Sequence, residues 1–323
     1  GRVHDYLRIS LTERCNLRCT YCMPEEGIRL RPKEEFMTAG EVETLARTFV
    51  EMGIRKIRLT GGEPLVRRDV DDVMERLGGL GMELAMTTNA VLVHRHADQM
   101  AAAGVTAVNV SLDSLRPQRF LALTRRDDHA RVLENLALLR ARGFQVRENV
   151  VLMRGQNDDE VPDFVARTRD PSVHVRFIEF MPFGGNRWEE EKIVPLAEVL
   201  RSVEARFGTG SIERVPGKAS DTARTYRVRG HQGTFGVIAS VTTPFCDTCN
   251  RLRLTADGKL KNCLFQPAEA DLLGPLRRGE DVRPLIRASV AAKHRARAGL
   301  VQLEDFRSSP SHEENRAMVA IGG

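Results

Sequence analysis

The feature that most constrains the fold is a strand–helix rhythm over the first 180 residues, in which the strands alternate polar and apolar side chains. Strand-like runs start at Leu7 (LRISLT), Ile54 (IRKIRLT), Glu83 (ELAMTTN), Ala107 (AVNVSLD), Val146 (VRENVVLM) and Val173 (VHVRFIEFM). Between the first two, Val42, Leu45, Ala46 and Phe49 recur at helical spacing behind a Thr38–Glu41 capping box. Val132, Leu136 and Leu139 mark another helix, closed by Gly143. Strands alternating with helices build a parallel sheet. Six such units are too few for an eight-stranded barrel. The expected fold is therefore α/β, a partial (β/α)6 TIM-like barrel.

The alternation says what the barrel holds. Leu7, Ile9 and Leu11 oppose Arg8, Ser10 and Thr12, while Ile57 and Leu59 oppose Lys56, Arg58 and Thr60. Val108, Val110 and Leu112 oppose Asn109, Ser111 and Asp113, and a polar face near Val146 carries Arg147 and Asn149. With helices covering the apolar face, the polar side chains line the inside. A closed barrel fills its interior with Val, Ile and Leu. An interior bearing arginines instead points to an open barrel around a large anionic ligand.

Beyond about residue 185 the texture changes. The runs ARTYRVRG, GTFGVIASV and RLRLTADGKLKNCLF read as short strands, with Asp257-Gly258 as a hairpin turn. A helix is expected from about Leu285 to Arg297. The expected division is residues 1–185 for the barrel and 186–323 for a smaller, hairpin-rich C-terminal domain. Because the first residues run almost directly into a strand, a short segment is expected to precede Gly1. A net charge of +5, from 49 basic and 44 acidic side chains, is too small by itself to argue for nucleic acid. No apolar run approaches the roughly 18 residues that span a bilayer. The chain reads as cytoplasmic, without a membrane or nucleic-acid partner.

The six cysteines fall into two trios, Cys15, Cys19, Cys22 and Cys246, Cys249, Cys263. Tight odd-numbered groups argue for ligands over disulfides. The first trio, CNLRCTYC, follows the first strand, where barrels present their active-site loops. Three thiolates can hold three irons of a 4Fe–4S cluster and leave the fourth open. The second trio also falls one ligand short of a structural zinc site.

The CNLRCTYC loop resembles the signature of radical S-adenosylmethionine enzymes, whose fold is a partial (β/α)6 barrel. In that resemblance Cys15, Cys19 and Cys22 are catalytic cluster ligands. Gly62 in GGEP (Gly61 to Pro64), Tyr21, Ser111 and Met181 correspond to residues around the bound S-adenosylmethionine. The stretch CDTCNRLRL with Cys263 closely resembles the C-terminal motif of the GTP-cyclising family that opens molybdenum cofactor synthesis. This second resemblance runs along nearly the whole chain, to Gly322-Gly323, a tail that in the family is thought to reach the active site.

It implies two 4Fe–4S clusters, each on three cysteines, with Cys246, Cys249 and Cys263 holding the second, whose open iron meets the guanine. It assigns Arg8, Arg58, Thr87, Arg147, Arg251, Leu252 and Arg253 to the GTP site, with Arg176 as a further candidate. Guanidinium groups suit that role because they grip phosphate oxygens bidentately in a dry pocket. The implied reaction is reductive cleavage of S-adenosylmethionine to a 5′-deoxyadenosyl radical, removal of the ribose C3′ hydrogen of GTP, and C3′–C8 bond formation. Further implications are a flavodoxin- or ferredoxin-type electron donor, a homodimer, and a downstream cyclic pyranopterin monophosphate synthase that takes the product.

Two positions depart from the family pattern: Arg147 stands where lysine is common, and TTNA ends in Ala90 where glycine is usual. Two other readings stay open on sequence alone. One is a peptide-modifying radical maturase, although these carry more C-terminal cysteines. The other is a zinc-stabilised nucleic-acid-binding protein, which requires its arginines on a solvent face.

Overall fold

The structure, a computed structural model, describes residues 2–24, 27–29, 31–300, 304–308 and 314–322. Six parallel strands form its centre: β1 (Tyr6–Ser10), β2 (Lys56–Thr60), β3 (Glu83–Thr88), β4 (Val105–Ser111), β5 (Gln145–Leu152) and β6 (His174–Glu179). Helices α1 (Ala39–Glu51), α2 (Val70–Gly78), α3 (Val93–Ala102), α4 (Pro117–Thr124), α5 (His129–Ala141) and α6 (Val161–Ala166) lie in the connections. The capping box forms as the sequence predicts: Glu41 N–H donates to Thr38 Oγ1 at 3.2 Å, and Thr38 N–H donates to the Glu41 carboxylate at 2.7 Å. The apolar strand faces, including Leu7, Ile9, Ile57, Leu59, Val108 and Val110, join Val42, Leu45 and Phe49 of α1 in one buried core.

The C-terminal strands continue the same sheet. They are β7 (Ile212–Arg214), β8 (Arg224–Val228), β9 (Thr234–Ile238), β10 (Arg251–Leu254), β11 (Lys259–Lys261) and β12 (Ala270–Asp271). β10 pairs parallel with β1, and β9 pairs parallel with β6. The sheet order is β12-β11-β10-β1-β2-β3-β4-β5-β6-β9-β8-β7, with antiparallel hairpins at both ends. Its two ends do not pair with each other, so the expected partial barrel is open.

The helix expected from Leu285 to Arg297 spans Arg283–Ala291 and stops short. Tertiary contacts override helical propensity beyond it. Lys293 turns to the Arg251 carbonyl at 2.8 Å, and Arg297 and Ala298 take positive φ. Among the described residues no helix is long and apolar enough to cross a membrane.

Candidate active site

The first cysteine loop leaves the C-terminal end of β1 and is tied to three neighbours. Arg18 and Thr20 N–H groups donate to the Thr124 and Leu123 carbonyls at 2.9 and 3.0 Å. Gly62 and Glu63 N–H groups donate to the Thr12 and Arg14 carbonyls at 2.7 and 2.8 Å, so the segment after β2 forms the floor of the loop. A Cβ on Gly62 would lie 2.4 Å from the Arg14 carbonyl oxygen, which explains glycine there. The buried Glu63 carboxylate accepts from Thr88 Oγ1 and Asn89 N–H, both at 2.7 Å. Burial pushes Glu63 up to about 7. Asn89 Nδ2 in turn approaches Cys15 Sγ at 3.8 Å. Tyr21 donates its hydroxyl to Asp113 Oδ2 at 2.7 Å, beyond the end of β4.

Burial raises all three thiols of this loop, Cys15 to about 11, and the buried carboxylates Glu63 and Asp113 push the same way. Thiolates there need a positive group among them, which irons would supply. This donor set fits an iron–sulfur cluster.

The second trio lies at the other end of the barrel. Cys246 and Cys249 precede β10, which runs parallel to β1, and Cys263 follows the antiparallel β11. All three therefore sit at the N-terminal ends of the barrel strands. Lys293 Nζ lies 3.5 Å from Cys249 Sγ, and Arg297 N–H lies 3.4 Å from Cys246 Sγ. Burial raises Cys246. At Cys249 burial also pushes up, but Lys293, Arg251 and Arg253 outweigh it and hold that thiol below its usual range. All six cysteines are free thiols, and among the described residues no three His, Cys, Asp or Glu side chains converge on one metal ion. A cubane does not require such convergence, because each thiolate binds a different iron.

Between the two ends lies a cavity of about 750 Å³, within the ~300–1,000 Å³ range of ligand pockets. Its walls carry thirteen arginine and lysine side chains against three carboxylates, so its field favours a polyanion. Arg8, Arg58, Arg147, Arg176, Arg251 and Arg253 all line it, as do Met181 and the second cysteine trio. Burial, then neighbouring guanidiniums, pulls Arg8 and Arg176 down to about 9. Asn109 Oδ1, Asn149 Oδ1 and Arg253 Nε are buried there without a hydrogen-bond partner, as in a site shaped for a polar ligand.

Other expected residues lie elsewhere. Gly62, Tyr21 and Ser111 sit around the first cysteine loop or at the end of β4, outside these walls, as does Thr87 of β3. The Leu252 side chain is buried in the outer core, because the alternation that aims Arg251 and Arg253 inward aims Leu252 outward.

Reasoning from the sequence placed Asn149 on the inner face but missed Tyr6, Lys293 and Met318, all of them in the cavity wall. The period-two pattern that flags Arg8 also reaches Tyr6. Lys293 and Met318 carry no local signal.

The fold and the first loop define a radical S-adenosylmethionine enzyme: the Radical SAM superfamily model matches residues 9–167. The Molybdenum Cofactor Synthesis C model matches residues 173–298. A mitochondrial GTP 3′,8-cyclase of Arabidopsis thaliana is 46% identical over 100% of this chain and 82% of its own length. A GTP 3′,8-cyclase of Peptoclostridium acidaminophilum is 44% identical over 100% of this chain and 97% of its own. The chain belongs to the GTP 3′,8-cyclase family. It spans about half of the animal relatives; molybdenum cofactor biosynthesis protein 1 of Homo sapiens is 46% identical over 96% of this chain and 49% of its own. Among solved structures, Streptococcus suis SuiB shares the fold: TM-score 0.62, 16% identity, 81% of this chain and 61% of that one.

Proposed function

We infer that this chain is a GTP 3′,8-cyclase catalysing the first step of molybdenum cofactor synthesis. The observation that carries the reading is the arginine-lined cavity whose wall includes Cys246, Cys249 and Cys263, with the first cysteine loop beyond the C-terminal end of β1. Cys15, Cys19 and Cys22, beyond the C-terminal end of β1, would hold a 4Fe–4S cluster with S-adenosylmethionine beside it, and these groups would supply a 5′-deoxyadenosyl radical able to take a hydrogen atom from the GTP ribose.

The protein's part is to bind, orient and exclude water. Gly62, Ser111, Tyr21 and Met181 hold S-adenosylmethionine near Cys15, Cys19 and Cys22. Arg8, Arg58, Arg147, Arg176, Arg251 and Arg253 hold the triphosphate, together with Thr87 and Leu252, the latter through its backbone. Cys246, Cys249 and Cys263 carry a second 4Fe–4S cluster. Residues 1–185 act as the barrel unit and 186–323 as the unit that brings the second cluster. The electron comes from a flavodoxin- or ferredoxin-type donor, the working form is a homodimer, and a cyclic pyranopterin monophosphate synthase takes the product. Six free thiols suit a reducing compartment such as the cytoplasm.

Iron and sulfide analysis of anaerobically reconstituted protein tests the reading. The expected result is iron and sulfide matching two clusters per chain. Zinc alone, with no sulfide, overturns it.

A further inference from the structure

We propose that Tyr6 is a positioning residue for the phosphate-binding arginines, holding Arg58 and Arg251 in the geometry that favours a triphosphate. The proposal rests on the lumen being the GTP site. Tyr6 opens β1, and its register partners are Lys56 on β2 and Arg251 on β10. Its side chain therefore faces the lumen one step below Arg8.

The phenol makes two kinds of contact. Its oxygen accepts from Arg58 Nε at 2.6 Å, and Arg58 Nη1 donates to the Met86 carbonyl at 2.5 Å. These bonds hold the guanidinium at both edges in a site where Arg58 is only 3% exposed. The ring faces a second cation: the Arg251 guanidinium carbon lies 5.7 Å from the Tyr6 centroid and 5.4 Å from that of Phe245. Arg251 is thus clamped between two aromatic rings, with Nη2 donating to the Ser220 carbonyl at 2.9 Å. Lys56 Nζ stands 5.5 Å from the Tyr6 ring.

Such support has a physical purpose. Guanidiniums crowded in a dry cavity repel one another and spread unless something fixes them. A site that orders its arginines before the ligand arrives avoids that ordering cost on binding. A phenol suits the task because its oxygen and π-face both attract cations. Burial alone would raise the pKa of Tyr6, yet Arg58, Arg8 and Lys56 outweigh burial and bring it down to about 7.

The test measures GTP and guanosine binding to anaerobically reconstituted holoenzyme, comparing wild type with Tyr6→Phe and Tyr6→Leu. Tyr6→Phe keeps the ring and loses the acceptor, so GTP affinity falls about tenfold, as expected for a hydrogen bond to a charged group. Tyr6→Leu also loses the clamp on Arg251 and falls further. Guanosine affinity changes less than about twofold in both, since the lost contacts act on the phosphate end.

Equal losses for GTP and guanosine show a merely structural role and overturn the proposal, as does unchanged GTP affinity in both variants. If wild type itself binds GTP no more tightly than guanosine, the phosphate site is misplaced, and the reading beneath the proposal falls with it. Adding Tyr6→Phe to Arg58→Lys gives a further check. The second loss is expected to be much smaller than in the wild-type background, and full additivity contradicts a shared role.

Discussion

Arg8 of β1 and Arg253 of β10 are register partners on adjacent parallel strands, and Arg8 is equally the partner of Arg58 on β2. Three guanidinium groups therefore cross three neighbouring strands at one level of the lumen. Their mutual repulsion is a cost that a bound polyanion would offset. Arg253→Ala is expected to weaken GTP binding by roughly ten- to a hundredfold, from the loss of a charge-assisted bond. S-adenosylmethionine, whose proposed site is at the other end, should change less than about threefold. Calorimetry with each ligand checks this, and equal losses contradict the assignment.

Cys263 is separated from the first trio by the length of the barrel, so the proposed second cluster should assemble independently of the first. Cys263→Ser is expected to remove one cluster and GTP turnover, while slow reductive cleavage of S-adenosylmethionine survives. Iron content and electron paramagnetic resonance count the clusters. Loss of both together contradicts independent sites.

The tail reaches the barrel mouth. Arg316 binds Asp257 at 2.8 and 2.9 Å and Glu269 at 2.5 Å, anchoring the terminal turn Met318–Ile321. Gly322 has φ +89°, and a Cβ there would lie 2.5 Å from Thr60 Oγ1 and 2.9 Å from Ser10 Cβ. These residues end β2 and β1, so a side chain at 322 would push the tail away from the barrel mouth. Gly323 lies outside the described residues. Gly322→Val is expected to lower GTP turnover more than tenfold while the melting temperature shifts little, because the added side chain meets only the ends of β1 and β2. Turnover and thermal unfolding measured together check this; full activity in the variant contradicts it.

Ala90, the residue found where glycine is usual, is buried and left-handed with φ 63°. An L-residue there costs about 1–2 kcal/mol. Glycine would remove that strain but cost about 0.5–1 kcal/mol of chain entropy and about 0.8 kcal/mol for the lost methyl. The terms nearly cancel. Ala90→Gly is therefore expected to change stability by less than about 1 kcal/mol, whereas Ala90→Val, a β-branched residue at positive φ, costs clearly more. Denaturant unfolding of the apoprotein checks both, and a large loss in the glycine variant contradicts the cancellation.

What was legible in the sequence was periodic. Alternation in β1 and β2 placed Arg8 and Arg58 in the lumen, and the same rule in RLRL sets Arg251 and Arg253 on one face, their place in the site coming from the family resemblance. It should also have excluded the Leu252 side chain, which the structure buries in the outer core. What was not legible is long-range pairing. Nothing local announces that β10 will add to β1 some 240 residues away, or that Lys293 will reach Cys249 and Phe245 will cover Arg251. The arrangement of two cysteine trios at opposite ends follows from that pairing, so it emerged only with the fold.

The central claim is that the lumen joins two ends of one reaction site for GTP. The most direct measurement is anaerobic incubation of the reconstituted protein with GTP, S-adenosylmethionine and a reductant, followed by identification of the product. The account predicts 5′-deoxyadenosine together with a triphosphate in which ribose C3′ is bonded to guanine C8. Formation of 5′-deoxyadenosine with GTP recovered unchanged would contradict it.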